Sequence, residues 1–383
     1  SGARETYQEA RRVYDLLGAE DKLRMFEADD GHGYTLPRRQ AAYRFLGRWL
    51  KGAEDTAEEQ RVEPESEETL QATETGQVAT SLGGETVHSL NLKRVEQFRA
   101  GRGPAAEVPA RARELTAFVQ PAGPVQVHPF GQIRRQGYLI HKLTYESEPG
   151  IQIPSLLFIP EGGAGPRPAV VYVDGRGKSA GLADIEQIVR AGAIVLSIDA
   201  RGTGETQFST GDSGSDFPRY FGDYHSAMKA LLLGRPLAGM RAQDIARAID
   251  LLVSRPEVDR NRIWGFGRDA GALPLLYAAV LDGRLKRLAL EGMLLSYESV
   301  VTGKIHRGVF ESVVPGALRR FDVPDLAAAL APRPVWVVNA ATPLGNRVPL
   351  AEARRQYARG PHIQVKERAS TDDLRAIYAG LLE

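Results

Sequence analysis

From residue 137 onward two kinds of apolar pattern alternate along the chain. Short apolar runs at Ala169–Val173, Ala193–Ile198 and Leu288–Leu290 read as buried strands, with Pro334–Val338 and Ile363–Lys366 as further strands. Between them, Leu182–Ala191, Ala242–Val253, Leu350–Ala358 and Asp373–Leu382 place apolar residues at helical spacing. Gly137–Glu146 and Gln152–Ile159 read as an antiparallel pair of edge strands. Apolar strands alternating with amphipathic helices imply a mainly parallel central sheet with helices on both faces. Ligands on such sheets sit at the carboxyl ends of the strands, where Asp174-Gly175-Arg176-Gly177 and Asp199-Ala200-Arg201-Gly202-Thr203-Gly204 fall.

The first third has a different rhythm. Thr6–Leu17 carries Ala10, Val13, Tyr14 and Leu17 at helical spacing and stops at Gly18, a helix-ending residue. Leu23–Ala28 reads as a short strand, followed by the polar turn Asp29-Asp30-Gly31-His32-Gly33-Tyr34. Pro37 then opens a helix with Ala41, Phe45, Trp49 and Leu50 on one face. Lys51–Glu74 is acidic and polar, a linker by composition, and Val87–Phe98 has helical spacing. The expected divisions are 1–50, a linker and helical segment 51–113, and a large domain 114–383.

Glu9-Ala10-Arg11-Arg12-Val13-Tyr14 matches Glu352-Ala353-Arg354-Arg355-Gln356-Tyr357 at five of six positions. After each match the order is the same: a Gly, a short strand, a polar turn and an amphipathic helix. This order points to duplication, with 1–50 the last helix–strand–turn–helix of a preceding, similar domain. In that alignment the turn holding His32 corresponds to Ser370-Thr371-Asp372, which has no imidazole.

Composition narrows the class. With 43% hydrophobic and 25% charged residues, the 383-residue chain is of ordinary soluble globular type. A net charge of +1 argues against nucleic acid or an acidic membrane surface as partner. The absence of Cys excludes disulfides, thiolate metal sites and a Cys nucleophile. No apolar run approaches the roughly 20 residues that cross a bilayer. The beginning, Ser1-Gly2-Ala3, shows neither an initiator Met nor a signal peptide, and the compartment, cytoplasmic or exported, stays open. The histidines lack metal-ligand spacing, and the Gly pairs at 175/177 and 202/204 lack the phosphate-loop endings. Neither a metal nor another cofactor is expected.

The chemistry centres on Arg262-Ile263-Trp264-Gly265-Phe266-Gly267-Arg268-Asp269-Ala270-Gly271, a strand entering a turn and then a helix. Gly267-x-Asp269-x-Gly271 has the form of a nucleophile elbow, with Asp at the tip. Together with Asp199–Gly204, Met240-Arg241-Ala242-Gln243-Asp244 and Ala331-Pro332-Arg333-Pro334, this chain resembles the α/β-hydrolase superfamily. The closest likeness is to its acetyl-xylan-esterase-like and dienelactone-hydrolase-like branch, over about Val125–Glu383 and separately Tyr7–Leu50. The resemblance implies hydrolysis of a small ester or an acetylated carbohydrate by an elbow Ser. A His after the last strand would act as base, oriented by an acid after a late strand, and backbone N–H groups would bind the oxyanion. Carried over, the nucleophile falls on Asp269, and the oxyanion donors on Ala270 with Gly175 or Arg176. The acid position falls on Asn339-Ala340-Ala341-Thr342 and the base position on Ser370–Asp372.

These substitutions leave several readings open. The domain is a carboxylesterase-type hydrolase impaired in its triad, or a pseudo-hydrolase kept to position substrate. Alternatively, Asp269 is a nucleophile of the dehalogenase-like kind, forming an alkyl ester, with His32 donated from the amino-terminal segment or from a second chain. His32 is read as the general base of the preceding copy, against the alternative of a plain surface His; the remainder of that copy is then a partner. Glu291 either replaces the missing acid or pairs with an Arg such as Arg268. His306, in the insertion after Glu291, reads as a lid or rim residue. Asp174, Asp199 and Arg201 read as turn and salt-bridge residues.

Overall fold

The structure is a computed structural model that describes residues 2–52, 59, 61–163, 165–207, 224–369 and 371–378. Its contacts separate two units, Ser1–Gly84 and Glu85–Glu383. In the first, a helix Gly2–Leu16 and a helix Leu36–Leu46 flank an irregular stretch. The second helix widens into a π-turn, Gly47–Lys51, which ends at left-handed Gly52. Leu23–Ala28 does not form the expected strand. A strand must exchange backbone hydrogen bonds with a neighbour, and none lies beside it among the described residues of this unit. Gly47 is the one buried residue described there, so the apolar faces of both helices stay largely open.

The second unit is built on one nine-stranded sheet. Its strands are β1 (Val127–Arg135), β2 (Tyr138–Glu148), β3 (Ile151–Pro160), β4 (Arg167–Asp174), β5 (Ile194–Ile198), β6 (Val258–Arg268), β7 (Arg287–Glu291), β8 (Val335–Val338) and β9 (Ile363–Lys366). Their spatial order is β1-β2-β3-β5-β4-β6-β7-β8-β9. The first three strands are antiparallel, and β3 meets β5 antiparallel; from β5 to β9 every pairing is parallel. This is the mainly parallel sheet that the apolar runs imply, and it agrees with the fold that the resemblance implies. Strand β1 is an addition: its side chains are exposed throughout, so it carries no apolar signal.

The alternation along each central strand feeds two cores. Ala169, Val171 and Val173 of β4 join Ile263 of β6 on one face, under the helices Leu237–Ser254 and Ala272–Leu281. Val170, Tyr172, Trp264 and Phe266 face the other way, under Leu182–Arg190 and Leu374–Ile377. A strand buried on both faces reads as a continuous apolar run because neither face can be polar. The expected final helix reached Leu382; 379–383 lie outside the described residues.

The unit also begins earlier than residue 114. The helices Val87–Ala100 and Val108–Thr116 belong to it. Arg102 bonds Glu298 at 3.1 Å, and Val108 and Ala112 enter the core.

Candidate active site

Parallel register lines up four strand ends. Asp174 of β4 lies opposite Arg268 of β6, Arg268 opposite Glu291 of β7, and Glu291 opposite Val338 of β8. The chain leaves β6 at Asp269 and enters the helix Ala272–Leu281 after a single tight turn. Asp269 has φ +50°, a left-handed conformation that Asp and Asn tolerate better than most residues. The elbow backbone is therefore intact. Over it lies a cavity of about 690 Å³, lined by Arg176, Asp269, Ala270, Glu291, Asn339, Arg347 and Arg368, among others. The insertion after β7 supplies one wall through Arg307–Val309 and Ser312.

The Asp269 side chain is half-exposed, with its Oδ2 3.9 Å from Arg176 Nε. Burial pushes its pKa above the ordinary aspartate range; nearby Asp174 adds to this, and Arg176 opposes it. Its Oδ1 rests against Gly292, where any Cβ would stand 2.4 Å away. No histidine lines the cavity among the described residues.

The second oxyanion donor departs from expectation. Gly175 N–H donates to the Arg268 carbonyl at 3.0 Å, and Arg176 N–H donates to Asp174 Oδ1 at 2.9 Å. Both groups are engaged before any ligand arrives. The loop itself is pressed onto the elbow, since a Cβ on Gly175 would stand 2.7 Å from the Ala270 nitrogen.

Where the resemblance places an acid, Asn339 sits at φ +51°. Its Oδ1 accepts from Arg368 N–H at 3.1 Å and its Nδ2 donates to Arg368 O at 2.9 Å. Arg368 comes just after the last strand, and its side chain folds back into a buried ion cluster. Its Nη2 reaches Asp184 at 2.8 Å and its Nε reaches Glu291 at 2.8 Å. Arg268 bridges the same two carboxylates, meeting Glu291 at 3.3 Å and pairing with Asp184. The Tyr378 hydroxyl donates to Glu291 at 3.1 Å. Glu291 is thus held by two guanidiniums and a phenol, on the Arg268 side of the alternatives open for it. Of the turn expected to hold a base, Ser370 lies outside the described residues; Asp372 Oδ2 accepts from Ala369 N–H at 2.7 Å.

His32 stands exposed in the first unit, within a turn clasped by Arg38 Nη1, which donates to Gly31 O at 3.1 Å and Gly33 O at 2.5 Å. Asp30, the adjacent acid, is taken by Thr35 and Arg38. His306 stacks edge-on against Phe310, 5.7 Å between centroids. Among the described residues no three His, Asp or Glu side chains gather into a metal-binding group.

The remaining signature residues meet away from the cavity. Arg201 Nη2 reaches the fully buried Asp244 at 2.5 Å, and Arg201 N–H donates to the same carboxylate at 3.0 Å. Ser147 Oγ donates to it at 2.6 Å. Lys178 Nζ bonds Asp199 Oδ2 at 2.6 Å. The residues that sequence reasoning missed are Asp184, Arg347 and Arg368. Each is a lone charge on an ordinary helix or loop, and only the fold brings them to the strand ends.

Comparison with known proteins agrees with the fold. The acetyl xylan esterase (AXE1) family model matches residues 132–309, which include the elbow. The hydrolase-like YtaP of Bacillus subtilis (strain 168) is 26% identical over 227 residues, 55% of this chain and 72% of YtaP. In fold, an acetyl-xylan-esterase-like protein of Bacteroides fragilis NCTC 9343 superposes with a TM-score of 0.59 at 18% identity, covering 76% of this chain and 85% of its own. An acetyl xylan esterase from Paenibacillus sp. R4 gives a TM-score of 0.52 at 20% identity, covering 75% and 97%. Residues 132–309 are therefore similar to the acetyl xylan esterase family, and the domain that holds them shares the fold of such esterases.

Proposed function

We propose that this domain does not hydrolyse esters through its elbow and is kept to bind and position a small ligand. One observation carries the reading: Asp269 faces Arg176, Asp174 and Gly292, while Asn339 stands where an acid was expected and the turn expected to bring a base, Ser370–Asp372, has no imidazole in its sequence. A carboxylate can attack carbon, but release of the resulting ester needs a base to activate water. The cavity offers no imidazole among its described residues. The engaged N–H groups of Gly175 and Arg176 support the same view, since an oxyanion needs preorganised donors that are not already bonded within the protein.

The 1–50 segment we read as the counterpart of the helix Leu350–Tyr357 with the strand and turn beyond it, His32 being the general base of another copy of the fold. Ala10 and Tyr14 are half-buried, whereas their counterparts Ala353 and Tyr357 lie fully inside. The segment thus has the apolar face that a hydrolase sheet would cover.

Turnover of a short-chain aryl acetate tests the proposal. The expected result is a rate equal to the buffer background for the wild-type chain, Asp269→Asn and His32→Ala alike. Turnover above background that disappears in Asp269→Asn sinks it and assigns Asp269 as nucleophile. Loss in His32→Ala as well assigns the base to the amino-terminal segment.

A further inference from the structure

We propose that the cavity over the elbow is a carboxylate-binding site in which Arg347 and Arg368 hold the acid group of a small organic acid. The inference deepens the non-hydrolytic reading and rests on it.

Arg368 is 4% exposed, yet it lines the cavity. Its Nε and Nη2 are satisfied by Glu291 and Asp184, while its buried Nη1 has no hydrogen-bond partner among the described residues. A buried charged donor without an acceptor forfeits its hydration with nothing in return, so native structures rarely keep one without a use. Arg347 is exposed on the same cavity, and among the described residues its one side-chain hydrogen bond, Nη2 to the Arg368 carbonyl at 3.2 Å, is to a neutral group. No carboxylate pairs with it among the described residues. That bond sets the Arg347 guanidinium against the backbone of Arg368. The same carbonyl also accepts from Asn339 Nδ2, so the loop carrying both contacts is fixed before a ligand enters.

The other charges nearby are already matched. Arg268 lies on Asp184 and Glu291, and Arg176 lies on Asp174 at 3.1 Å. Arg307 and Asp269 also line the cavity and offset each other in charge, so the remaining demand, set by Arg347, is for acceptor oxygens carrying about one negative charge. A planar carboxylate offers two oxygens to guanidinium donors, which is the arrangement in which such hydrogen bonds are strongest. Phosphate would bring a second negative charge toward Asp269 and Glu291, and like charges so close disfavour it. A volume near 690 Å³ leaves room for an organic acid larger than acetate.

Titration calorimetry of the full chain with acetate, benzoate, benzamide and inorganic phosphate tests the site. Expected is binding of benzoate above acetate, with benzamide and phosphate at least tenfold weaker. Arg347→Ala should weaken benzoate about tenfold, as loss of a charge-assisted bond does, and Arg347→Lys should recover part of that loss. Because Arg368 is in the core, Arg368→Lys is compared only at an unfolding midpoint matched to the wild type. There it should also lose benzoate affinity. Equal binding of benzamide, tighter binding of phosphate, or benzoate affinity indifferent to Arg347→Ala each overturns the proposal, as does no binding at all. Aryl acetate turnover above background sinks the non-hydrolytic reading alone, whereas silence in both assays sinks this inference alone.

Discussion

Asn339 grips the backbone of Arg368 from both sides, accepting from its N–H at 3.1 Å and donating to its carbonyl at 2.9 Å. The side-chain amide offers a donor and an acceptor at once, which an ionised carboxylate of the same size does not. Asn339→Asp would turn the donor into an acceptor facing a carbonyl. It should destabilise the chain by about 1–3 kcal/mol in urea unfolding near neutral pH. It should also create no esterase activity, although it restores the carboxylate of the family pattern. An unchanged unfolding midpoint would mean that the pair contributes nothing.

Asp269 should show itself in the pH dependence of stability. Its pKa is raised in the folded chain, chiefly by burial. Between the unfolded value of about 3.9 and the higher folded value, the native state binds more protons than the unfolded state. Stability is therefore lost as pH rises through that window. Asp269→Asn removes the loss while keeping a residue that tolerates φ +50°. The variant should melt above wild type at pH 7, with the difference shrinking towards zero at about pH 3.5, below the unfolded value. A constant difference across that range would contradict the assignment.

Gly292 is coupled to Asp269 by contact. A Cβ there would stand 2.4 Å from Asp269 Oδ1, on a backbone with φ +65°. Gly292→Ala should cost about 1–3 kcal/mol, from left-handed strain together with the clash. In an Asp269→Gly background the clash disappears and only the strain remains, so the penalty should fall. Equal penalties in the two backgrounds would show that the carboxylate does not occupy this position.

Asp184 is the hinge of the buried ion cluster, bonded to both Arg268 and Arg368. Asp184→Asn leaves two guanidiniums short of a countercharge and should destabilise by about 3–5 kcal/mol, as breaking a buried pair does. Combined with Glu291→Gln, the effect should be less than the sum, because both carboxylates serve the same two arginines. Strict additivity of the two substitutions would argue against a shared network.

How much of this fold was legible in the chain depended on the range of the interaction behind each feature. Strands such as β4 and β8 were legible because burial on both faces leaves an unbroken apolar run, as in Val170–Val173 and Val335–Val338. The elbow was legible because Gly267, Asp269 and Gly271 lie within five residues. Leu23–Ala28 failed because its composition suits a strand, but pairing depends on a neighbour it lacks among the described residues of its unit. Strand β1 was missed for the opposite reason: an edge strand exposed along its length needs no apolar pattern, only β2 beside it. Arg347, Asn339 and Arg368 act together through a backbone carbonyl, a relationship no spacing rule encodes. Asp184 is far from all three in sequence.

The Arg201–Asp244 pair joins two of the strings that carry this chain's resemblance to the acetyl-xylan-esterase-like branch. The strings Asp199–Gly204 and Met240–Asp244 build a wall of the domain: one supplies the guanidinium, the other the buried carboxylate, and neither lines the cavity. Chains sorted by these strings will fall together whether or not they turn over substrate. The informative labels are the residues at the positions of Asp269 and Asn339. On the non-hydrolytic reading proposed above, sequences carrying Ser and Asp there should turn over esters and sequences carrying Asp and Asn there should not, on one shared scaffold.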